Sequence, residues 1–298
     1  MDRPLRIGTR ASPLALAQAR MVAAALRAAH GWDEAAIELV PITTTGDVIQ
    51  DRPLAEVGGK ALWTKELDRC LAEGRTDLSV HSMKDVETIR PDSLVIAAML
   101  PRADTRDRLI GADRLAALPK GARVGTSSPR RSAQLLARRP DLAIGSIRGN
   151  VQTRLAKLAA GEFDATLLAA AGLDRLGIAI GTPLDDLLPA PAQGAVGVEI
   201  LAIRDDLRPV LTAIDDPDTH RCVSAERAFL EALGGDCRSA VAARAHCTAG
   251  GVRLEAEILS ADGREVQACA TEPGGGPAAL ARLLLERASP ALRAMFAG

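Results

Sequence analysis

The chain has 298 residues, 47% apolar and 25% charged, with a formal net charge of -1. That length and balance suit a soluble protein of two or three domains. Near-zero charge, two Trp, three Phe and no Tyr argue against a phosphate-backbone binder or an aromatic platform for single-stranded nucleic acid.

In chain order, residues 4–9 predict a short strand, and Ser12-Pro13 then opens a helix to about His30, with Ser as N-cap and Pro at the first helical position. A strand follows at Ile37–Ile42. Residues 43–60 lack a clear period and carry three glycines, so they predict a long loop of the kind that often serves function. A helix from Leu62 to Glu73 leads to a strand at Asp77–Ser82, and strands and helices alternate to about residue 200, the pattern of a parallel α/β sheet. Asp215-Asp216-Pro217 breaks the chain before a helix from Asp218 to Leu233, three alternating segments (240–247, 252–259, 265–271), a GGGP turn and a final helix. That end predicts a small antiparallel α+β domain, with Cys237 in the turn that enters it. The first residues, MDRPLRIGTR, lack the apolar core of a signal peptide, and no run approaches the ~20 apolar residues that span a bilayer.

One internal echo links the two halves of the α/β region. GTRASPLALAQ (Gly8–Gln18) and GTSSPRRSAQ (Gly125–Gln134) each place Gly-Thr at a strand end, then Ser-Pro, then Ala-Gln four and five residues after the Pro. Two lobes of one design, each presenting a helix N-terminus, is the simplest account, and such ends are anion sites. A chance match of common Ser-Pro caps is the competing account.

The candidate chemistry clusters at predicted strand ends. HSMKD (His81–Asp85) puts Asp85 beside Lys84, a carboxylate kept ionised by a cation and available to a developing positive charge; a solvated ion pair is the plainer reading. TSSPRR (Thr126–Arg131) places Arg130 and Arg131 in a first helical turn, where the helix dipole opposes them unless an anion compensates. SIRGN (Ser146–Asn150) repeats the theme with Arg148 and, further on, Arg154; Arg175 ends a later segment. Guanidinium groups gathered in an otherwise slightly acidic chain suit a ligand with several carboxylates or phosphates. The five cysteines (Cys70, Cys222, Cys237, Cys247, Cys269) contain no CxxC and read as reduced thiols, and the four histidines lack ligand spacing, so no metal site is expected. Most cysteines are small buried hydrophobes, but Cys237 sits in a Gly-rich turn before Arg238, a setting that favours the thiolate.

These blocks, in this order, resemble the porphobilinogen deaminase family: LRIGTRASPLALAQA, TTTGD, VGGKALWTKEL, HSMKD, VGTSSPRRSAQL, IRGNVQTRL, AAAGLDRLG, PAQGAVGVE, AERAFL and the GGDC turn span nearly the whole chain. The resemblance implies an α/β fold of two lobes like those of type II periplasmic binding proteins (residues 1–98 with 195–214, and 102–190) and a C-terminal α+β domain (217–298). It implies a cytoplasmic monomeric transferase, with no metal, nucleic-acid or membrane partner. That enzyme condenses four porphobilinogen molecules head to tail into hydroxymethylbilane and releases ammonia. It is primed by a dipyrromethane cofactor on a cysteine thioether, here Cys237. The family's catalytic carboxylate matches Asp85. Its groups for the acetate and propionate arms match Arg10, Ser12, Ser82, Lys84, Thr126, Ser128, Arg130, Arg131, Arg148, Arg154 and Arg175, while Gln193 falls in the lobe-crossing segment. Departures from the usual pattern are Glu87 for Pro, Glu56 for Lys, Trp63 for Phe, Asp236 before the cysteine and Ala240 for Pro after it. The rival reading is a non-catalytic two-lobed anion-binding protein, which the third domain and Cys237 speak against.

Overall fold

The structure, a computed structural model, describes residues 3–44, 61–234 and 239–296, with backbone only at 61–63. The 45–60 part of the expected loop and the Cys237 turn lie outside the described residues. The chain divides into two compact units, Met1–Ala103 with Gly194–His220, and Asp104–Gln193 with Arg221–Gly298.

In chain order the first unit supplies β1 (Leu5–Arg10), α1 (Pro13–His30), β2 (Ile37–Ile42), α2 (Ala61–Ala72), β3 (Leu78–Ser82) and β4 (Leu94–Met99). The second supplies β5 (Asp107–Ile110), β6 (Arg123–Gly125), α3 (Pro129–Arg138), β7 (Ala143–Gly145), α4 (Val151–Ala159), β8 (Ala165–Ala169), α5 (Ala170–Arg175) and β9 (Thr182–Leu184). The chain returns to the first unit for β10 (Val196–Leu201) and α6 (Arg208–Thr212). It ends with α7 (Pro217–Ala232), β11 (Val241–Thr248), β12 (Gly251–Leu259), β13 (Val266–Ala270), α8 (Pro277–Arg287) and α9 (Pro290–Ala294).

Each unit contains a five-stranded sheet of the same design. The orders are β2-β1-β3-β10-β4 and β7-β6-β8-β5-β9. In the first, β1 pairs in parallel with β2 and β3, and β10 runs antiparallel to β3 and β4. In the second, β6 pairs in parallel with β7 and β8, and β5 runs antiparallel to β8 and β9. The expected parallel sheet is therefore corrected to a mixed one. In both sheets the odd strand is the one the chain forms on arriving from the other unit, and it enters from the opposite end.

The two echoed segments adopt the same local structure. Ser12 Oγ accepts from Ala15 N–H at 3.3 Å ahead of α1, and Ser128 Oγ accepts from Arg131 N–H at 3.4 Å ahead of α3, so each side chain caps one orphan donor. Helix α1 buries Ala15, Ala19, Val22, Ala23 and Leu26, the three-to-four spacing of one helical face. That face packs on Ile7, Leu78, Val80 and Val198 of the sheet. Past its C-terminus, Trp32 stacks on His30 with ring centroids 4.7 Å apart.

The C-terminal segments form the antiparallel sheet β11-β12-β13, as their alternation predicts. Phe229 and Leu230 of α7 and Leu280 and Leu284 of α8 cover its inner face, which Val241, Leu254 and Ile258 line. Within the second unit this sheet is docked on α3. Gln134 Nε2 donates to Glu257 Oε2 at 2.9 Å, and Ala133 packs with Leu259. The β12–β13 turn reaches α3 through Gly263, whose φ is +71° and where a Cβ would lie 2.4 Å from Ala137 N and 2.5 Å from Ala133 O. The four described cysteines, Cys70, Cys222, Cys247 and Cys269, form no disulfide.

Candidate active site

Carboxyl ends of parallel strands face the ligand side of open α/β sheets, and the candidate residues gather there in each unit. In the first, an open pocket is lined by Arg10 at the end of β1 and Ser12 beyond it, Ser82 at the end of β3 and Asp85 beyond it, and Gln18, Thr64 and His81. Asp85 closes a short 3₁₀ turn, Met83–Asp85. Met83 anchors that turn: its side chain is buried, and its N–H donates to Ala195 O at 3.1 Å. Ser82, Lys84 and Asp85 around it stay part-exposed. Gln18 Nε2 donates to Ser82 Oγ at 2.7 Å and ties α1 to the end of β3. Lys84 belongs to the same turn but is not among the lining residues.

Below the pocket floor, Glu199 of β10 is fully buried. One of its oxygens lies 3.2 Å from His81 Nε2, and the other accepts from Arg90 Nε at 2.8 Å. Burial alone would raise the Glu199 pKa; His81 and Arg90 outweigh it and bring it down to about 2.

In the second unit the candidate residues follow β6, β7 and β8. Thr126 and Ser128 lead into α3; Arg148 follows β7 and precedes α4; Arg154 in the first turn of α4 donates from Nε to Gly149 O at 3.0 Å; Arg175 ends α5. Burial pushes the Arg175 pKa down. Ser127 Oγ, which donates to Ile147 O at 2.7 Å, joins the β6 and β7 loops. Arg130 and Arg131 are buried, and both reach Asp107 of β5. Asp107 Oδ2 accepts from Arg130 Nη2 at 2.8 Å and Arg131 Nε at 3.1 Å, and Oδ1 accepts from Arg131 Nη2 at 2.6 Å and Gln193 Nε2 at 2.9 Å. Burial opposes ionisation of Asp107, but the two guanidinium groups outweigh it and hold the carboxyl far below the usual carboxylate range. The anion expected beside this arginine pair is thus supplied by the fold itself. The Glu257 carboxylate, joined to Arg130 through Gln134, adds a second negative charge beside the pair. Arg130 Nε and Arg148 Nη1 are buried donors with no hydrogen-bond partner among the described residues. A ligand bearing several carboxylates fits such a site.

Sequence reasoning did not assign Gln18, Thr64, His81 or Asp107. Gln18 stood in the echo and His81 in HSMKD; Asp107 carries no local signal. Among the described residues no group of His, Cys, Asp and Glu has metal-site geometry, and no helix is long and apolar enough to cross a membrane.

In each unit a capped helix and arginines stand at the carboxyl ends of parallel strands, and in the first a carboxylate shares a pocket with Arg10, the make-up of an α/β protein with sites suited to anions. Two family models cover nearly all of it: "Porphobilinogen deaminase, dipyromethane cofactor binding domain" over residues 5–208 and "Porphobilinogen deaminase, C-terminal domain" over 220–287. It is 59% identical to porphobilinogen deaminase of Sphingopyxis alaskensis over 99% of this chain and 98% of that one, and 51% identical to that of Paracoccus denitrificans over 89% and 87%. Among solved structures it is similar to the VFT2 domain of Bordetella pertussis BvgS, at 14% identity and a TM-score of 0.42, over 76% of this chain and 90% of that one. The chain belongs to the porphobilinogen deaminase family, an enzyme family with a dipyrromethane cofactor. The non-catalytic alternative has no support in these relationships.

Proposed function

We propose that the protein condenses four porphobilinogen molecules into linear hydroxymethylbilane, with Asp85 as its catalytic carboxylate. The observation that carries this reading is the convergence of Asp85 with Arg10, Ser12 and Ser82 in one pocket. Arg10, with Ser12, Ser82 and Lys84, binds the acetate and propionate arms of the incoming pyrrole. The C–N bond of the protonated aminomethyl group breaks, its electron pair leaves with ammonia, and the carbon left behind is a cationic azafulvene whose positive charge reaches the pyrrole N–H. The Asp85 carboxylate faces that N–H and stabilises the charge; when the free α-carbon of the attacking pyrrole bonds to the methylene carbon, the charge passes to the attacking ring, whose α-hydrogen then leaves as a proton that the carboxylate accepts.

The dipyrromethane, when bound, supplies the free pyrrole carbon that primes the chain. Arg130, Arg131, Arg148 and Arg154, with Thr126 and Ser128, hold its carboxylates. Gln193 keeps Asp107 in place beside them, and Arg175 meets the growing product. Cys237 carries the cofactor through a thioether; it lies outside the described residues. The reading further takes the protein as a cytoplasmic monomer made of three domains, the two sheets of the second unit counting separately. Near-neutral charge and scarce aromatics support the absence of a nucleic-acid partner.

The test is Asp85→Asn, which keeps shape and removes charge. It should lower turnover at least ~10²-fold while an intact-mass spectrum still shows two added pyrrole units. Near-normal turnover refutes the assignment. An adduct mapped to Cys222 or Cys247 refutes the attachment site.

A further inference from the structure

The charged side chains below the pocket of the first unit have no task in the mechanism above. Arg90, whose side chain is 7% exposed, is their centre. Its guanidinium grips Glu199 as a fork, Nε to Oε1 at 2.8 Å and Nη2 to Oε2 at 3.0 Å. It also donates from Nη1 to Glu87 Oε2 at 2.7 Å and from Nη2 to Asp68 Oδ1 at 2.6 Å. The Glu87 oxygen accepts in addition from Thr64 Oγ1 at 3.2 Å. Glu199 belongs to β10, Asp68 and Thr64 to α2, and Glu87 follows Asp85 by two residues. Two members of the set, His81 and Thr64, line the pocket together with Asp85.

Two consequences follow from this geometry. The segment just after Asp85 is fastened at Glu87 and Arg90 to α2 and β10, which fixes where the turn presents Asp85. The same guanidinium reaches three carboxylates on three separate stretches of chain, so it ties α2, β10 and the segment after Asp85 into one cluster. A Pro at position 87, the residue the resembled pattern usually has there, could accept neither bond, so the fastening depends on Glu87.

We propose that Glu87 and Arg90 form a clamp that positions Asp85, with Glu87 bridging it to pocket-lining Thr64. Both are positioning residues, and the inference rests on the reading of Asp85 as the group that meets the substrate cation.

The experiment is a double-mutant cycle of Glu87→Leu and Thr64→Val in the cofactor-loaded enzyme, with kcat, KM, melting temperature and intact mass recorded. Both bonds fall on one Glu87 oxygen, so Glu87→Leu, which removes the acceptor, is the variant that breaks the link, whereas Glu87→Gln keeps an acceptor there. Glu87→Leu should lower kcat about tenfold with KM within about twofold, the pattern of a misplaced catalytic group and not of lost binding. Loading should be normal. The Glu87 side chain is 35% exposed, so the variant should fold. Thr64→Val should slow turnover too, and the double variant should be no slower than the worse single one, because both changes break the same link. Arg90→Lys should retain more kcat than Arg90→Gln. Wild-type kcat in Glu87→Leu, or effects that multiply fully in the double variant, overturns the clamp while a crippled Asp85→Asn leaves the catalytic reading standing. A near-normal Asp85→Asn overturns both.

Discussion

Asp107→Asn is the sharpest probe of the second unit. Four hydrogen bonds converge on the Asp107 carboxylate, three from Arg130 and Arg131 and one from Gln193. A carboxamide has one oxygen, so whichever way it turns, two of the four donors meet an N–H₂ group. Charge-assisted bonds contribute roughly 1.5–3 kcal/mol each, and breaking a buried ion pair typically costs about 3–5 kcal/mol, so the expected loss is about 4 kcal/mol. With about 2–4 °C per kcal/mol for a unit of this size, the melting temperature should fall by roughly 10 °C. Thermal melts followed by far-UV circular dichroism measure it, with Asp164→Asn, at an exposed ion pair, as the control that should change little. A shift under ~2 °C would mean that the two guanidiniums do not depend on this carboxylate, and the charge accounting above would be wrong.

Other outcomes follow from single contacts. Gly263→Ala forces a Cβ into the α3 backbone at a positive φ; it should loosen the docking of the C-terminal sheet and lower the melting temperature by several degrees, where an unchanged melt would contradict the close approach. The Glu199 pKa is depressed from 4.5 to about 2 on folding. Its contribution, about 3 kcal/mol, is therefore present above the unfolded value and lost as pH falls from about 4.5 toward 2. Urea titrations of wild type and Glu199→Gln across that window should show a shallower acid loss in the variant. Arg131→Leu should fail to load cofactor, whereas Arg10→Leu should carry it and stall with short oligopyrroles; intact masses of the two proteins separate the cases, and a normally loaded, normally elongating Arg131 variant refutes the division of roles.

What local chemistry dictates was legible from the chain, and what depends on distant partners was not. Ser12-Pro13 and Ser128-Pro129 announce capped helices because the cap uses residues three apart, and both caps are present. The three C-terminal strands show in their alternation and pair in the order of the chain. The antiparallel courses of β5 and β10 left no trace, since a short buried strand reads the same in either direction. Arg10, Ser12, Ser82 and Asp85 share a pocket because each stands at or just past a strand end that is recognisable. Asp107 was missed because it lies 23 residues before Arg130 in an unremarkable strand, and the Glu199–Arg90 pair because its partners are 109 residues apart.

The stacking of Trp32 on His30 has a practical consequence. Both tryptophans, Trp32 and Trp63, belong to the first unit, and the second contains only the weakly emitting Phe163, Phe229 and Phe296. Intrinsic fluorescence of this tyrosine-free chain is therefore a one-sided reporter, blind to unfolding around Asp107. The Trp32 ring, stacked 4.7 Å from the His30 imidazole, loses that neighbour on unfolding, so its emission reports the opening of the first unit. Subtracting that trace from the far-ultraviolet signal isolates the behaviour of the optically silent half of the molecule.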